Sequence, residues 1–108
     1  MLTEQPILIT SITATEDLSK NVFVDFFGAK STGAAKSLGV CNADTSTDEQ
    51  APVLCSGIAL VKTSEAISVG SQVRCNAGLA AAIGVGPIEG YALDSASGAG
   101  ELIRILLV

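Results

Sequence analysis

Residues 90–108 read Gly-Tyr-Ala-Leu-Asp-Ser-Ala-Ser-Gly-Ala-Gly-Glu-Leu-Ile-Arg-Ile-Leu-Leu-Val, and this stretch decides the fold class. Its first four residues have the composition of a short strand, 94–100 contain only Asp, Ser, Ala and Gly, and 101–108 are apolar around Arg104. Small polar residues and glycines between two apolar runs are typical of an exposed turn, so the stretch predicts a β-hairpin. Residues 106–108 are too apolar for a free tail, and we expect them to be buried in the domain or against a partner.

Other runs of strand-forming residues precede this hairpin. They are Ile7–Ala14, Asn21–Phe27, Ser37–Cys41, Ala51–Lys62 and Gln72–Asn76. The second contains all three Phe residues and is apolar on both faces, so it predicts a central strand that supplies the largest packing groups. In the fourth, alternation places Val53 and Val61 on one face and Leu54 on the other, and Gly57 indicates a bulge.

These patterns predict an all-β protein, either a compact small barrel or a β-clip-like sandwich, with long loops and at most one or two short helical turns. The length of 108 residues fits a single domain. Pro6 cannot donate a hydrogen bond to a sheet. We therefore expect an extended N-terminal arm over residues 1–6 and one β domain over residues 7–108.

Charge and composition favour a protein that makes contacts. The net charge is −5, and charged residues make up 16% of the chain, so part of the surface should be neutral. The basic residues are scattered singly, which argues against direct nucleic-acid binding. No apolar run is long enough to cross a membrane as a helix. The first residues lack a basic, apolar leader, and we expect synthesis in the cytoplasm.

The sequence offers no catalytic or metal-binding constellation. It contains no His, and Cys41, Cys55 and Cys75 lack the Cys-x-x-Cys spacing of a metal or redox site. We expect Cys55 and Cys75 to act as small hydrophobic residues. The expected protein is not an enzyme and has no cofactor or metal.

Four segments together carry a resemblance to a known family. They are Gly57-Ile58-Ala59-Leu60-Val61, Ala66-Ile67-Ser68-Val69-Gly70-Ser71-Gln72-Val73, Ala77-Gly78-Leu79-Ala80 and the hairpin from Gly90 to Leu107. In this order they resemble the small capsid decoration (cement) proteins of tailed bacteriophages. The resemblance covers roughly residues 38–108, whereas residues 1–30 do not match clearly.

The resemblance implies a structural virion protein. Such a protein would bind the outer surface of an expanded capsid and stabilise it by bridging capsomers, after synthesis in the host cytoplasm. Its partners would be the major capsid protein and further copies of itself, with a trimer favoured over a dimer. Direct nucleic acid and membrane contacts are not expected.

The candidate contact residues lie in the arm and in the last strand. They are Leu2, Thr3, Glu4, Gln5, Pro6, Ile7, Arg104, Leu106 and Val108. Arg104 is expected to reach solvent at an edge or to pair with Glu101 or with a carboxylate of a neighbouring subunit. The alternative function is a cytosolic β-clip or barrel accessory domain that binds a small molecule or sugar. Tyr91 is the aromatic candidate for such a site, although we expect it to pack beside the terminal strand.

Overall fold

The computed structural model describes residues 2–82 and 86–108, so Met1 of the predicted arm lies outside the described residues. The described residues form eight β-strands, and none of them lies in a helix that could span a membrane. The strands are β1 (Gln5–Thr13), β2 (Phe23–Val24), β3 (Gly39–Cys41), β4 (Gln50–Lys62), β5 (Gln72–Asn76), β6 (Leu79–Ala81), β7 (Ile88–Ala92) and β8 (Leu102–Leu107). The predicted all-β class is confirmed.

The sheet is arranged around the long strand β4. Its order is β2-β3-β4-β8-β7-β5-β6, with β1 paired to β4 beside this path. Every strand pairing is antiparallel. Ile58 pairs with Gln5 of β1 and also with Leu106 of β8, so β1 and β8 lie on opposite edges of β4.

Backbone hydrogen bonds between the two ends of this order nearly close the sheet into a barrel. The N–H of Phe23 in β2 donates to the carbonyl of Gly78, next to β6, at 2.8 Å. At the last residue of β4, the N–H of Lys62 donates to the carbonyl of Asn21 at 3.0 Å, and just after this strand the N–H of Ser64 donates to the carbonyl of Ala80 at 2.8 Å. The predicted small barrel therefore describes the architecture.

Gly57 lies at a bulge in β4, and the alternation of side chains between the two faces of the strand is reversed across it. It has a φ of 109° and lies at a register shift between β1 and β4, which confirms the predicted bulge. Leu54 packs in the same group of buried side chains as Val61, whereas Val53 packs in another. The prediction that Val53 and Val61 share a face is wrong because the bulge reverses the alternation between them.

Two groups of buried side chains fill the domain. The first lies inside the barrel and consists of Phe23, Val40, Leu54, Ala59, Val61, Ile67, Val73, Cys75, Ala80, Ala92, Ala96, Ile103 and Ile105. The second lies under the N-terminal half of β4 and consists of Ala14, Leu18, Val22, Val24, Cys41, Ala51 and Val53. The three Cys are free, and Cys41 and Cys75 are buried as small apolar residues.

The predicted strand Asn21–Phe27 is shorter than expected, because β2 ends at Val24. The Oδ1 atom of Asp25 accepts hydrogen bonds from the N–H groups of Phe27 at 2.8 Å and Ala29 at 3.0 Å. These bonds close a turn that exposes 58% of Phe26 and 81% of Phe27. The prediction that this strand supplies the largest packing groups holds for Phe23 only, because Phe26 and Phe27 are exposed.

The terminal hairpin is confirmed. β7 and β8 pair through Gly90 with Leu107, Tyr91 with Leu106 and Ala92 with Ile105. Leu106 is 45% exposed and Val108 is 58% exposed, so burial of these two residues inside the domain is ruled out. Their burial against a partner stays a prediction.

Candidate functional site

β1 exposes apolar side chains near its N-terminal end. Ile7, Leu8 and Ile9 are 82%, 55% and 44% exposed. The domain does not cover these three side chains, whereas Ile12 packs partly against the second group of buried side chains. One backbone edge pairs with β4, and the other has no strand partner among the described residues. β1 is therefore an apolar strand with a free edge.

The sequence of β1 contains little that would protect such an edge. It reads Gln-Pro-Ile-Leu-Ile-Thr-Ser-Ile-Thr and has no charged residue. Exposed edge strands are usually short, charged, or interrupted by proline or a bulge. β1 has Pro6 and two register shifts, between Pro6 and Leu8 and between Leu8 and Ile9, but from Ile9 to Thr13 it pairs with β4 in regular register. The remaining edge is suited to pairing with a strand of another chain.

The predicted arm residues continue this strand. Leu2 and Thr3 are exposed, and Gln5 and Pro6 already belong to β1. With its amide nitrogen turned towards Glu4, the Asn42 side chain donates to both carboxylate oxygens of Glu4, at 2.8 and 2.9 Å. The role of residues 2–7 as contacts stays a prediction.

A second exposed surface lies on the outward side of β4, β8 and β7. Ile58, Leu106 and Tyr91 are direct neighbours across these strands, and Leu60 neighbours Arg104 in the next row. We call these five residues the hairpin face. The row through Ile58 also contains Gln5, so the fold brings the predicted contacts of the arm and of β8 to the same region. Tyr91 lies beside the terminal strand as expected, but 39% of it is exposed.

Arg104 is held within the hairpin by Asp94. Its Nε atom donates to Asp94 Oδ2 and its Nη2 atom donates to Oδ1, both at 2.9 Å, and its backbone N–H also donates to Oδ2 at 2.9 Å. Of the alternatives expected for Arg104, pairing with Glu101 is not found, since the Glu101 carboxylate accepts hydrogen bonds from Ser97. The Arg104 hydrogen bonds lower the pKa of Asp94 to about 2. The charge of Arg104 on the hairpin face is thus neutralised inside the protomer.

This ion pair predicts a stability difference that disappears in acid. The folded-state pKa of Asp94 lies below its ordinary value of 3.8, so the pair contributes fully above about pH 4 and is lost as the pH falls towards 2. Asp94→Asn is expected to lower the free energy of unfolding at pH 7 by about 1 kcal/mol or less, as for other partly exposed pairs. Urea unfolding of both proteins at pH 7, 4 and 2 measures the difference. A difference that stayed constant down to pH 2 would contradict this assignment.

The turn Asp25–Gly28 carries the two exposed phenylalanines and was not predicted as a site; we call it the Phe turn. Asp25 fixes it from one side through the hydrogen bonds described above. Gly28 has a φ of 92°, and any Cβ at this position would clash with the carbonyl of Thr13. Asp at the first position and Gly at the fourth are typical of a β-turn, so the signal was present in the sequence.

A buried carboxylate on β7 was also missed. Glu89 is 1% exposed and lies at a register shift between β5 and β7. Its Oε1 atom is 2.9 Å from Lys36 Nζ, and its Oε2 atom accepts hydrogen bonds from the N–H of Ser37 at 3.0 Å and the Ser37 hydroxyl at 2.7 Å. Ser31 adds its hydroxyl to this group, 2.8 Å from that of Ser37. The ion pair and hydrogen bonds of Glu89 therefore hold the loop of residues 31–37 against β7.

The described residues give little support to a small-molecule site. Among them, no group of three or more His, Cys, Asp or Glu side chains could hold a metal ion. One cleft between Leu18, Lys30 and Leu79 has a volume of about 190 Å³. Another, beside the Phe turn, has about 130 Å³. Ligand pockets usually measure roughly 300–1,000 Å³, so these clefts do not favour the sugar-binding alternative.

The chain has similarities to known proteins in structure and in sequence. The chain is similar in structure to the N base of the head fiber gp8.5 of bacteriophage phi29, with a TM-score of 0.73 and 17% sequence identity. The similarity covers 94% of this chain and 95% of that chain. A search of curated proteins found no match. Residues 2–107 match the phage cement protein family, and the chain therefore belongs to this family of capsid-associated structural proteins.

Proposed function

We propose that this chain binds the outer surface of an expanded phage capsid and bridges neighbouring capsomers, with β1 docking on the major capsid protein. The observation that carries the proposal is the free, uncharged edge of β1, with Ile7, Leu8 and Ile9 exposed. A strand of the capsid protein that paired with this edge would satisfy its backbone groups and cover its apolar side chains. The named role of the structural neighbour, the base of a head fiber, supports the outer surface as the location.

Such binding would stabilise the shell by mass action. A protein that binds the expanded shell, but not its dissociated subunits, shifts the equilibrium towards the intact shell. Each contact can be weak, because many copies in a symmetric lattice act together. The protein would be made in the host cytoplasm and would join the shell after expansion.

Sedimentation with expanded empty shells of the major capsid protein tests this proposal. Wild-type protein is expected to co-sediment at a fixed stoichiometry. The double variant Ile7→Lys with Ile9→Lys places on β1 the charges that usually block strand addition. We expect its affinity to fall about tenfold, since the lysine stems retain part of the apolar contact.

Two further variants complete the experiment. Val69→Lys is the control, because it places a lysine at an apolar position that is 61% exposed but lies outside β1. It should bind shells as the wild type does. Deletion of residues 2–6 should weaken binding while the fold persists, because it removes the arm and two residues of β1. If the double lysine variant bound shells with unchanged affinity, β1 would not be the docking element.

A further inference from the structure

The backbone of β1 points its hydrogen-bonding groups alternately towards β4 and away from it. Pro52 of β4 lies opposite Ser11 and has no N–H. The carbonyl of Pro52 accepts a hydrogen bond from the N–H of Asn42, which follows β3, at 2.9 Å. Pro52 therefore faces β3, and the Ser11–Pro52 pair is not hydrogen-bonded. It follows that the N–H and the carbonyl of Ser11 point away from β4.

The same alternation applies two residues to either side of Ser11. Because β1 pairs with β4 in regular register from Ile9 to Thr13, the backbone groups of Ile9 and Thr13 also point away from β4. Ala14 agrees with this alternation, since its N–H and its carbonyl both bond to the residues just before β4. Ile9 and Ser11 are exposed, and their outward groups have no hydrogen-bond partner among the described residues.

The Phe turn ends this free edge at Thr13. The N–H of Thr15, two residues further along, donates to the carbonyl of Gly28 at 2.9 Å. Gly28 lies so close to the carbonyl of Thr13 that any Cβ on it would clash there. The Phe turn thus occupies the position in which an added strand would continue. At the other end, Pro6 and the two register shifts that follow it interrupt the edge.

We infer that the capsid strand proposed to dock on β1 is short, that it hydrogen-bonds to Ile9 and Ser11, and that it ends against Phe27. The regular edge from Ile9 to Thr13 has room for a strand of about five residues, or roughly 17 Å. Phe27 is 81% exposed beside the end of this edge, on a turn fixed by hydrogen bonds. An aromatic residue held in this way loses little conformational entropy when a partner covers it. This inference rests on the proposed shell binding and specifies how the strand is bound.

A second copy of this chain fits the edge less well than such a segment. If two β1 strands paired antiparallel about Ser11, Ile9 of the second copy would lie opposite Thr13. The residues of the second copy before Ile9 would then run into the Phe turn, because β1 begins at Gln5. A capsid segment that turns away at Thr13 avoids this clash.

A proline substitution in β1 tests the inference by sedimentation with expanded shells. Ser11→Pro removes an N–H that points to the free edge and leaves the hydrogen bonds to β4 in place, and edge strands tolerate proline at such positions. The variant should keep its fold, which circular dichroism checks, and should bind shells roughly tenfold more weakly, because strand addition loses a backbone hydrogen bond and meets the proline ring. Ser11→Ala is the matched control. It changes the same side chain but keeps the N–H, and it should bind as the wild type does.

A second pair of variants tests the end of the added strand. Phe27→Ala removes the exposed ring and should weaken shell binding about tenfold, as expected for an aromatic anchor. Val69→Ala is its control, since it shortens an apolar side chain that is 61% exposed but lies away from β1 and the Phe turn in sequence.

Amide hydrogen exchange gives a measurement that needs no substitution. In the free protein, the amide of Ile12, which points to β4, should exchange more slowly than those of Ile9 and Ser11. Exchange is then carried out on shell-bound protein, and the protein is released and analysed by NMR. The amides of Ile9 and Ser11 should exchange at least tenfold more slowly on shells than in the free protein.

The outcomes separate this inference from the proposed function. If the Ile7→Lys and Ile9→Lys double variant loses binding while Ser11→Pro binds normally, β1 docks through its side chains and backbone pairing is ruled out. Unchanged binding of Phe27→Ala would show that the strand does not end at the Phe turn, and would overturn the inference. Protection of the Ile9 and Ser11 amides in concentrated protein without shells would assign the edge to a second copy instead. Wild-type protein that does not bind shells would overturn the proposed function and this inference with it.

Discussion

Replacement of Phe23 by alanine is expected to lower the free energy of unfolding by about 3–5 kcal/mol, the usual cost of removing a buried phenyl ring. Phe23 is fully buried in the barrel, among side chains that include Val40 and Leu54. The cavity would open where β2 meets the turn before β6, at one of the hydrogen bonds that close the barrel. Small domains are stable by only about 5–15 kcal/mol, so the loss would be a large fraction of the total.

Phe27→Ala provides the matched control for this prediction. It removes the same ring from a position that is 81% exposed, and the expected change is within about 0.5 kcal/mol. Urea unfolding followed by circular dichroism measures both variants. If Phe23→Ala does not fold, Phe23→Leu should still fold and lose less stability, because it keeps most of the side-chain volume. Equal losses for Phe23→Ala and Phe27→Ala would mean that the two rings are equally packed.

The contrast between these rings shows where sequence periodicity stops being informative. Val22 to Phe27 alternates like a strand with two apolar faces, and nothing in the hydrophobic pattern separates Phe23 from Phe27. The separation comes from Asp25, whose carboxylate binds the backbone N–H groups that would otherwise extend the sheet. Asp25 and Gly28 indicate a turn at this point, but the apolar pattern of residues 21–27 led to the prediction of a longer strand.

The terminal hairpin and β5 could be predicted because local chemistry and tertiary structure agree there. Residues 94–100 favour a turn whatever surrounds them, and the alternation around Val73 and Cys75 fits one covered face. Bulges are different, because they reverse the alternation without a strong local signal. Gly57 was recognisable as a bulge, yet its effect on the faces of β4 depends on the pairing with β1.

The candidate site was only partly predictable for a related reason. The composition of β1 indicates a strand, but its exposure depends on which strands lie beside it, and among the described residues β4 is its one strand partner. The apolar end of β8 indicated a contact surface, and the fold leaves Leu106 exposed. The partner of Arg104 was missed because Asp94 was interpreted as a turn residue only. Asp94 is both the start of the turn and the acceptor for Arg104.

Loss of the Glu89 carboxylate is the second change expected to lower the free energy of unfolding strongly. A buried carboxylate is bound by polar partners, and these lose their acceptor when it is removed. Glu89→Leu would leave the buried N–H of Ser37 without its acceptor, and the Ser37 hydroxyl with Ser31 as its remaining partner. An unpaired buried polar group costs about 1–3 kcal/mol, so we expect a loss of about 3 kcal/mol in the free energy of unfolding. Lys36 contributes less to this loss, since its side chain is 41% exposed and can turn to water.

A double-mutant cycle separates the charge of Glu89 from its hydrogen bonds. Lys36→Met removes the cation and leaves a buried negative charge, so it should destabilise the wild-type protein. In a Glu89→Gln background, where the side chain still accepts a hydrogen bond but carries no charge, the same Lys36→Met change should cost close to nothing. The loop of residues 31–37 would then be held by Ser37 alone. Equal costs of Lys36→Met in both backgrounds would show that the ion pair does not hold this loop, and that Glu89 acts through Ser37 only.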